Sequence, residues 1–131
     1  MKQCIAVASV LCLLAACSKE KLEKKVTGMW ELENFSGYPF NNNYQPPGNG
    51  NIILISSDGS FERRKHDTVT FRGAYSIKNK KDCYPRETNW FFSTTEPNST
   101  GMYIDTEDNK LTLSTPGCIQ DGGTTSYRKL D

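Results

Sequence analysis

Five cysteines and a single histidine carry most of the reactive chemistry available to this chain of 131 residues. Cys83 and Cys118 stand apart from the other three in the body of the sequence. In an oxidising compartment they read as a disulfide, with two free thiols or a metal site as the alternatives. Such a bond closes a loop of about 35 residues and is worth ~3 to 4 kcal/mol. A zinc site needs two further ligands, and His66 is the only histidine. His66-Asp67 is a base and its orienting acid without a placed nucleophile, so a hydrolytic triad lacks a member. Asp105, Glu107, Asp108 and Asn109 offer oxygens for calcium, yet their spacing is no EF-hand loop and hairpin turns favour the same residue types. The expectation is a protein with no catalytic residues, no metal and no cofactor.

The compartment follows from the first residues. Lys2, an apolar run from Ile5 to Leu14, and the small residues Ala15 and Ala16 form the three zones of a secretory leader. The run is too short to cross a bilayer, which takes ~20 residues. Cys17 after Leu14-Ala15-Ala16 resembles the bacterial lipobox, which implies a diacylglycerol thioether on the Cys17 sulfur and acylation of the new amine. Each buried methylene then adds ~0.8 kcal/mol, so several chains anchor durably. This sorts the cysteines: Cys4 and Cys12 leave with residues 1–16, Cys17 takes lipid, and Cys83 and Cys118 remain for each other. The implied place is the cell envelope, as an outer-membrane lipoprotein of a Gram-negative bacterium, on the periplasmic face or at the cell surface. Residues 17–25 read as a charged, self-solvating tether without an apolar face. Cys17-Ser18-Lys19-Glu20 is also similar to a surface-export signal, with a plain spacer as the alternative.

Residues 26–131 are enough for one domain and too few for two. Loss of Lys2 leaves 15 basic against 15 acidic side chains, so no nucleic-acid partner is expected. The elements that must position everything else are short β segments closed by turn residues: Met29 to Ser36, Asn51 to Ser56, Phe61 to Lys65, Val69 to Lys78, Thr88 to Thr94, Met102 to Asp105, Leu111 to Leu113 and Thr124 to Leu130. The clearest alternation sets Val69, Phe71, Gly73, Tyr75 and Ile77 against Thr70, Arg72, Ala74, Ser76 and Lys78. Asp58-Gly59 supplies the positive φ of a tight hairpin.

Eight sequential strands with short connections predict an all-β fold and favour a small up-and-down antiparallel barrel, because closure removes open edges, with a sandwich as the alternative. Gly28-Met29-Trp30 at the first strand resembles the Gly-x-Trp of the lipocalins, and the order of motifs over residues 26–130 is similar to the lipocalin-like domains of bacterial envelope lipoproteins. The resemblance implies that Trp30 plugs one end of the barrel and that Arg128 packs over it. A strict meander puts the connections holding Cys83 and Cys118 at opposite ends. Three resolutions stay open: a cysteine lies in or beside a strand, the strand count is off by one, or the pair is not bonded.

A barrel of this size either fills with side chains or holds one small ligand. Trp30, Phe71, Tyr75, Trp90 and Phe92, with Leu32, Ile77, Leu111 and Leu113, supply an apolar lining. Tyr38, Phe40 and Tyr44 lie in the long irregular loop from Gly37 to Gly50, where binding residues commonly sit. One expectation is a monomeric module holding a small hydrophobic or amphipathic molecule in the barrel or at its mouth. The other is a filled barrel that presents its loops to another envelope protein.

Overall fold

In the computed structural model the described residues are 16–38, 40–83, 88–119 and 121–131. The leader therefore lies outside the described residues, apart from Ala16. A helix, α1, runs over 16–26 and leads into nine strands. These are β1 (Gly28–Gly37), β2 (Phe40–Tyr44), β3 (Asn51–Ile55), β4 (Ser60–Lys65), β5 (Thr68–Lys81), β6 (Thr88–Thr94), β7 (Met102–Glu107), β8 (Lys110–Ser114) and β9 (Gly123–Leu130). Strand β1 hydrogen-bonds to β3 on one side and to β9 on the other, all neighbours being antiparallel, so β1 and β3 to β9 form a closed eight-stranded barrel. The eight expected strands are the eight of the barrel.

The ninth strand corrects the reading of Gly37 to Gly50 as a loop throughout. Strand β2 pairs with the far half of β1 through Asn34↔Tyr44 and Phe35↔Asn43, while β3 takes the near half from Gly28 to Glu31. The ten-residue β1 thus overshoots its barrel partner, and its unpaired edge recruits the chain that follows. Three consecutive asparagines between Phe40 and Tyr44 give no apolar alternation, which is why the pattern alone hides this strand.

Inside the barrel the alternation puts Trp30, Ile53, Ile55, Phe61, Ile77, Phe92, Leu111, Leu113 and Tyr127 in one cluster. Aromatic rings fill its centre, with Phe61 edge-on to Phe92 at 5.8 Å and Tyr75 stacked on Phe92 at 5.6 Å. One end is shut by α1. Lys19 and Glu23, and Glu20 and Lys24, pair one turn apart. Leu22 and Val26 lie on one face, and they turn towards the core, Val26 being fully buried. The charged tether expected over residues 17–25 is thus helical, its charged face exposed and Leu22 seated with Val26 against the core. The indole of Trp30 donates to the Val26 carbonyl at 2.7 Å, joining the helix to the plug.

The expected pairing of Trp30 with Arg128 is also corrected. In the register of β1 and β9 the residue opposite Trp30 is Lys129, whose ammonium lies 5.4 Å from the ring centre, and Arg128 stands opposite Glu31. Neighbours along a strand face opposite ways, so a shift of one residue moves the cation to the other side of the wall.

Cys83 and Cys118 are bonded, with Cα atoms 5.6 Å apart. The connections that carry them do leave from opposite ends of the meander. The two are reconciled by β5, which pairs with β4 over Thr68–Ala74 and with β6 over Tyr75–Lys81. Strand β6 meets β7 at only Phe91↔Tyr103 and Phe92↔Met102, so the end of the β5–β6 hairpin leaves the wall. It crosses the outer face of β7 and β8, where Asp82 accepts from the amide of Gly117 at 3.2 Å. The strand count stands, and the bond forms because one hairpin folds over its neighbours.

Candidate functional site

The end opposite α1 is formed by the connections β2–β3, β4–β5, β6–β7 and β8–β9. On the outer side of β1 there, Glu31 is 3 % exposed, buried beneath the β2–β3 connection. Its carboxylate accepts from the amides of Gly48 at 3.0 Å and Gly50 at 3.3 Å and faces the Arg128 guanidinium at 3.6 Å. Gly50 has φ of +73°, and a Cβ there would sit 3.0 Å from the backbone of His66, so the turn that aims its amide at Glu31 requires glycine. Arg128 also donates to the carbonyls of Leu32 and Gln45 and lies over the ring of Tyr44 at 5.7 Å. The long connection is thus tied down from below. Glu31→Ala leaves two amides without their acceptor and Arg128 without its counter-charge, and a loss of about 2 kcal/mol is expected in urea unfolding, with faster amide exchange at Gly48 and Gly50.

On the inner side of the same end sits Arg63, opposite Ile53 on β3 and Phe71 on β5. Its guanidinium bonds Glu96 at 3.1 Å and lies 5.6 Å from the centre of the Phe61 ring. Burial works against the Arg63 charge, but Glu96 and the Tyr127 hydroxyl outweigh it and raise its pKa. Burial also pushes the Tyr127 phenol up, against the pull of Arg63. Beside this group lies a cavity of about 200 Å³ lined by Leu32, Ile53, Arg63, Lys65 and Tyr127. A smaller void of about 40 Å³ lies between Phe61, Phe92, Leu113 and Tyr127. Below these, Trp30, Phe61, Ile53, Ile55, Ile77 and Leu111 fill the barrel.

The proposed ligand residues divide into three places. Trp30 is wholly buried at the capped end. Phe71, Tyr75 and Phe92 pack in or against the core, and Trp90 packs against it while also lining a cleft on the outer face of the barrel. Tyr38 and Tyr44 are exposed on the β1–β2 arm, 75 % and 62 %. Phe40 begins β2, but its side chain lies outside the described residues. Among the described residues no three His, Cys, Asp or Glu side chains gather into a metal site. His66 and Asp67 occupy the β4–β5 turn, His66 at φ +56°, and Asp108 at φ +49° turns β7 into β8. Cys17 is exposed at the start of α1.

The fold and this site define a closed eight-stranded antiparallel barrel with one capped end and one open, charged mouth. Comparison with protein families, curated proteins and solved structures finds no match.

Proposed function

We propose that this chain is a lipocalin-like lipoprotein of the bacterial envelope, anchored through Cys17, whose role is binding and not catalysis. Its barrel is mostly a filled scaffold, and the binding place is the mouth. The observation that carries this reading is the cavity of about 200 Å³ beside Arg63. Pockets that engulf a small molecule run to roughly 300–1,000 Å³, so this one suits the end of an amphipathic molecule whose remainder stays outside. Leu32, Ile53 and Tyr127 supply apolar contact, and Arg63 offers a donor fork to an anionic or hydroxylated head. The anchor supports an outer-membrane location, either face of which this chemistry suits.

Titrating the full-length chain in detergent with decanoate, decanol and decyltrimethylammonium tests the reading. Decanoate should shift the amides of Arg63 and Tyr127 and lose at least tenfold in affinity in Arg63→Met, whereas the ammonium should not bind. Equal binding of all three, or none, would overturn it.

A second reading, contact with another envelope protein, draws on the aromatic side chains of the β1–β2 arm. Phe35, Tyr38 and Tyr44 are exposed there, and among the described residues β2 ends the sheet with one edge unpaired. Tyr38→Ser with Tyr44→Ser should abolish an envelope cross-link while leaving the decanoate titration unchanged; a cross-link that survives sinks this reading.

A further inference from the structure

Where the β5–β6 hairpin crosses the outer face of the barrel, it leaves a cleft of about 490 Å³ that the mouth does not share. One wall is Thr88, Asn89 and Trp90; the other is Tyr103 and Asp105 on β7 with Thr112 and Ser114 on β8. The floor position is set by Asp82, 8 % exposed, one of whose oxygens accepts from the amides of Cys83 at 2.7 Å and Gly117 at 3.2 Å. Next to Gly117, the Cys83–Cys118 bond fastens the hairpin to the β8–β9 connection. Tyr103 is held from the other side by Phe91, edge-on at 5.5 Å.

Three properties narrow what fits. The described lining holds two carboxylates and no Lys, Arg or His, so phosphates and other anions meet repulsion. It is open and hydroxyl-rich, which gives an aliphatic chain no dry enclosure. It sets aromatic side chains, Trp90 and Tyr103, among carboxylate, amide and hydroxyl groups that between them donate and accept. A sugar presents the complementary pair of features: hydroxyls that donate and accept at once, and a face of C–H groups that packs on an aromatic ring.

We infer that this disulfide-fastened cleft is a binding site for a neutral or amine-bearing sugar, of mono- to disaccharide size. The exposed carboxylate of Asp105 charge-assists hydrogen bonds from sugar hydroxyls, and with the charge of Asp82 behind it attracts an ammonium and rejects a uronate. The site is independent of the mouth, so either reading can fail alone.

The test is an amide chemical-shift titration of the full-length, oxidised chain in detergent with maltose, N-acetylglucosamine, glucosamine and glucuronate. Saturable shifts are expected at Thr88 to Trp90 and Tyr103 to Asp105, with Kd on the order of millimolar for at least one of the first three and at least tenfold weaker binding of glucuronate. Asp105 is exposed, so Asp105→Ala keeps the fold and should weaken that binding at least fivefold. Absence of saturation with all four sugars would overturn the inference. So would glucuronate binding within tenfold of the best of the others, shifts confined to Arg63 and Tyr127, or an Asp105→Ala variant that loses less than fivefold.

Discussion

Trp30→Ala is expected to cost the domain about 3–5 kcal/mol, the range for emptying a large aromatic site in a packed core. The indole is fully buried, and its N–H holds the carbonyl of Val26 at 2.7 Å, so the substitution leaves a void and detaches the helix that shuts the barrel. At roughly 4 °C per kcal/mol for a domain of this size, the unfolding midpoint should fall by roughly 12–20 °C. Trp30→Phe separates the two contributions, since it keeps most of the apolar volume and loses the donor. A fall of a quarter to a third of the alanine effect is expected for it, with faster exchange of the α1 amides. Calorimetry on both variants checks the magnitudes. If Trp30→Ala melted within about 4 °C of the parent, a cost below roughly 1 kcal/mol, the plug would not be what holds that end closed.

The second large effect belongs to the disulfide. Cys83→Ser with Cys118→Ser is expected to lower stability by ~3 to 4 kcal/mol through the freed loop of the unfolded chain. That corresponds to roughly 12–16 °C in the midpoint. The structure adds a local consequence that the loop argument alone does not contain. The hairpin end has left the wall, with only two residue pairs between β6 and β7 below it, so without the bond it loses its main fastening. Protection of the amides around Thr88 should therefore drop further than the global stability does, while those of β3 and β4 follow the global value. Hydrogen exchange on the oxidised chain and the double variant distinguishes these. A uniform loss across all strands would mean that the hairpin is fixed by its other contacts.

Much of the fold was legible because a half-buried strand writes its two faces into the sequence. Phe71, Tyr75 and Ile77 face inward as their spacing requires, and Asp58-Gly59 turns β3 into β4 with Gly59 at φ +87°. What stayed hidden depended on groups distant in the chain. α1 shows only Leu22 and Val26 among lysines and glutamates, too few to mark an apolar face, and both matter because the open end of a barrel waits for them. Glu31 looks like a solvated position of β1 until the chain returns 17 residues later and lays the Gly48 amide on it. Arg63 is the instructive miss. It follows Phe61 at the inward spacing, so alternation alone places it in the barrel. The expectation that charge points outward conceals it, and the cost of turning inward is met by Glu96 and by a position near the mouth. The crossing of the hairpin was equally unreadable, because no local pattern records that a strand pair will part from its neighbour.

The helical form of residues 16–26 changes the geometry of attachment. A disordered leash would let the barrel tumble at the end of its anchor, but this segment is a rod of about 16 Å, at 1.5 Å per residue, seated on the barrel through Leu22 and Val26. With the acyl chains proposed for Cys17, the blind pole would be held towards the lipid surface and the Arg63 pole turned outward into the aqueous space. Traffic at the mouth would run to and from solution, with the bilayer as mooring and not as reservoir.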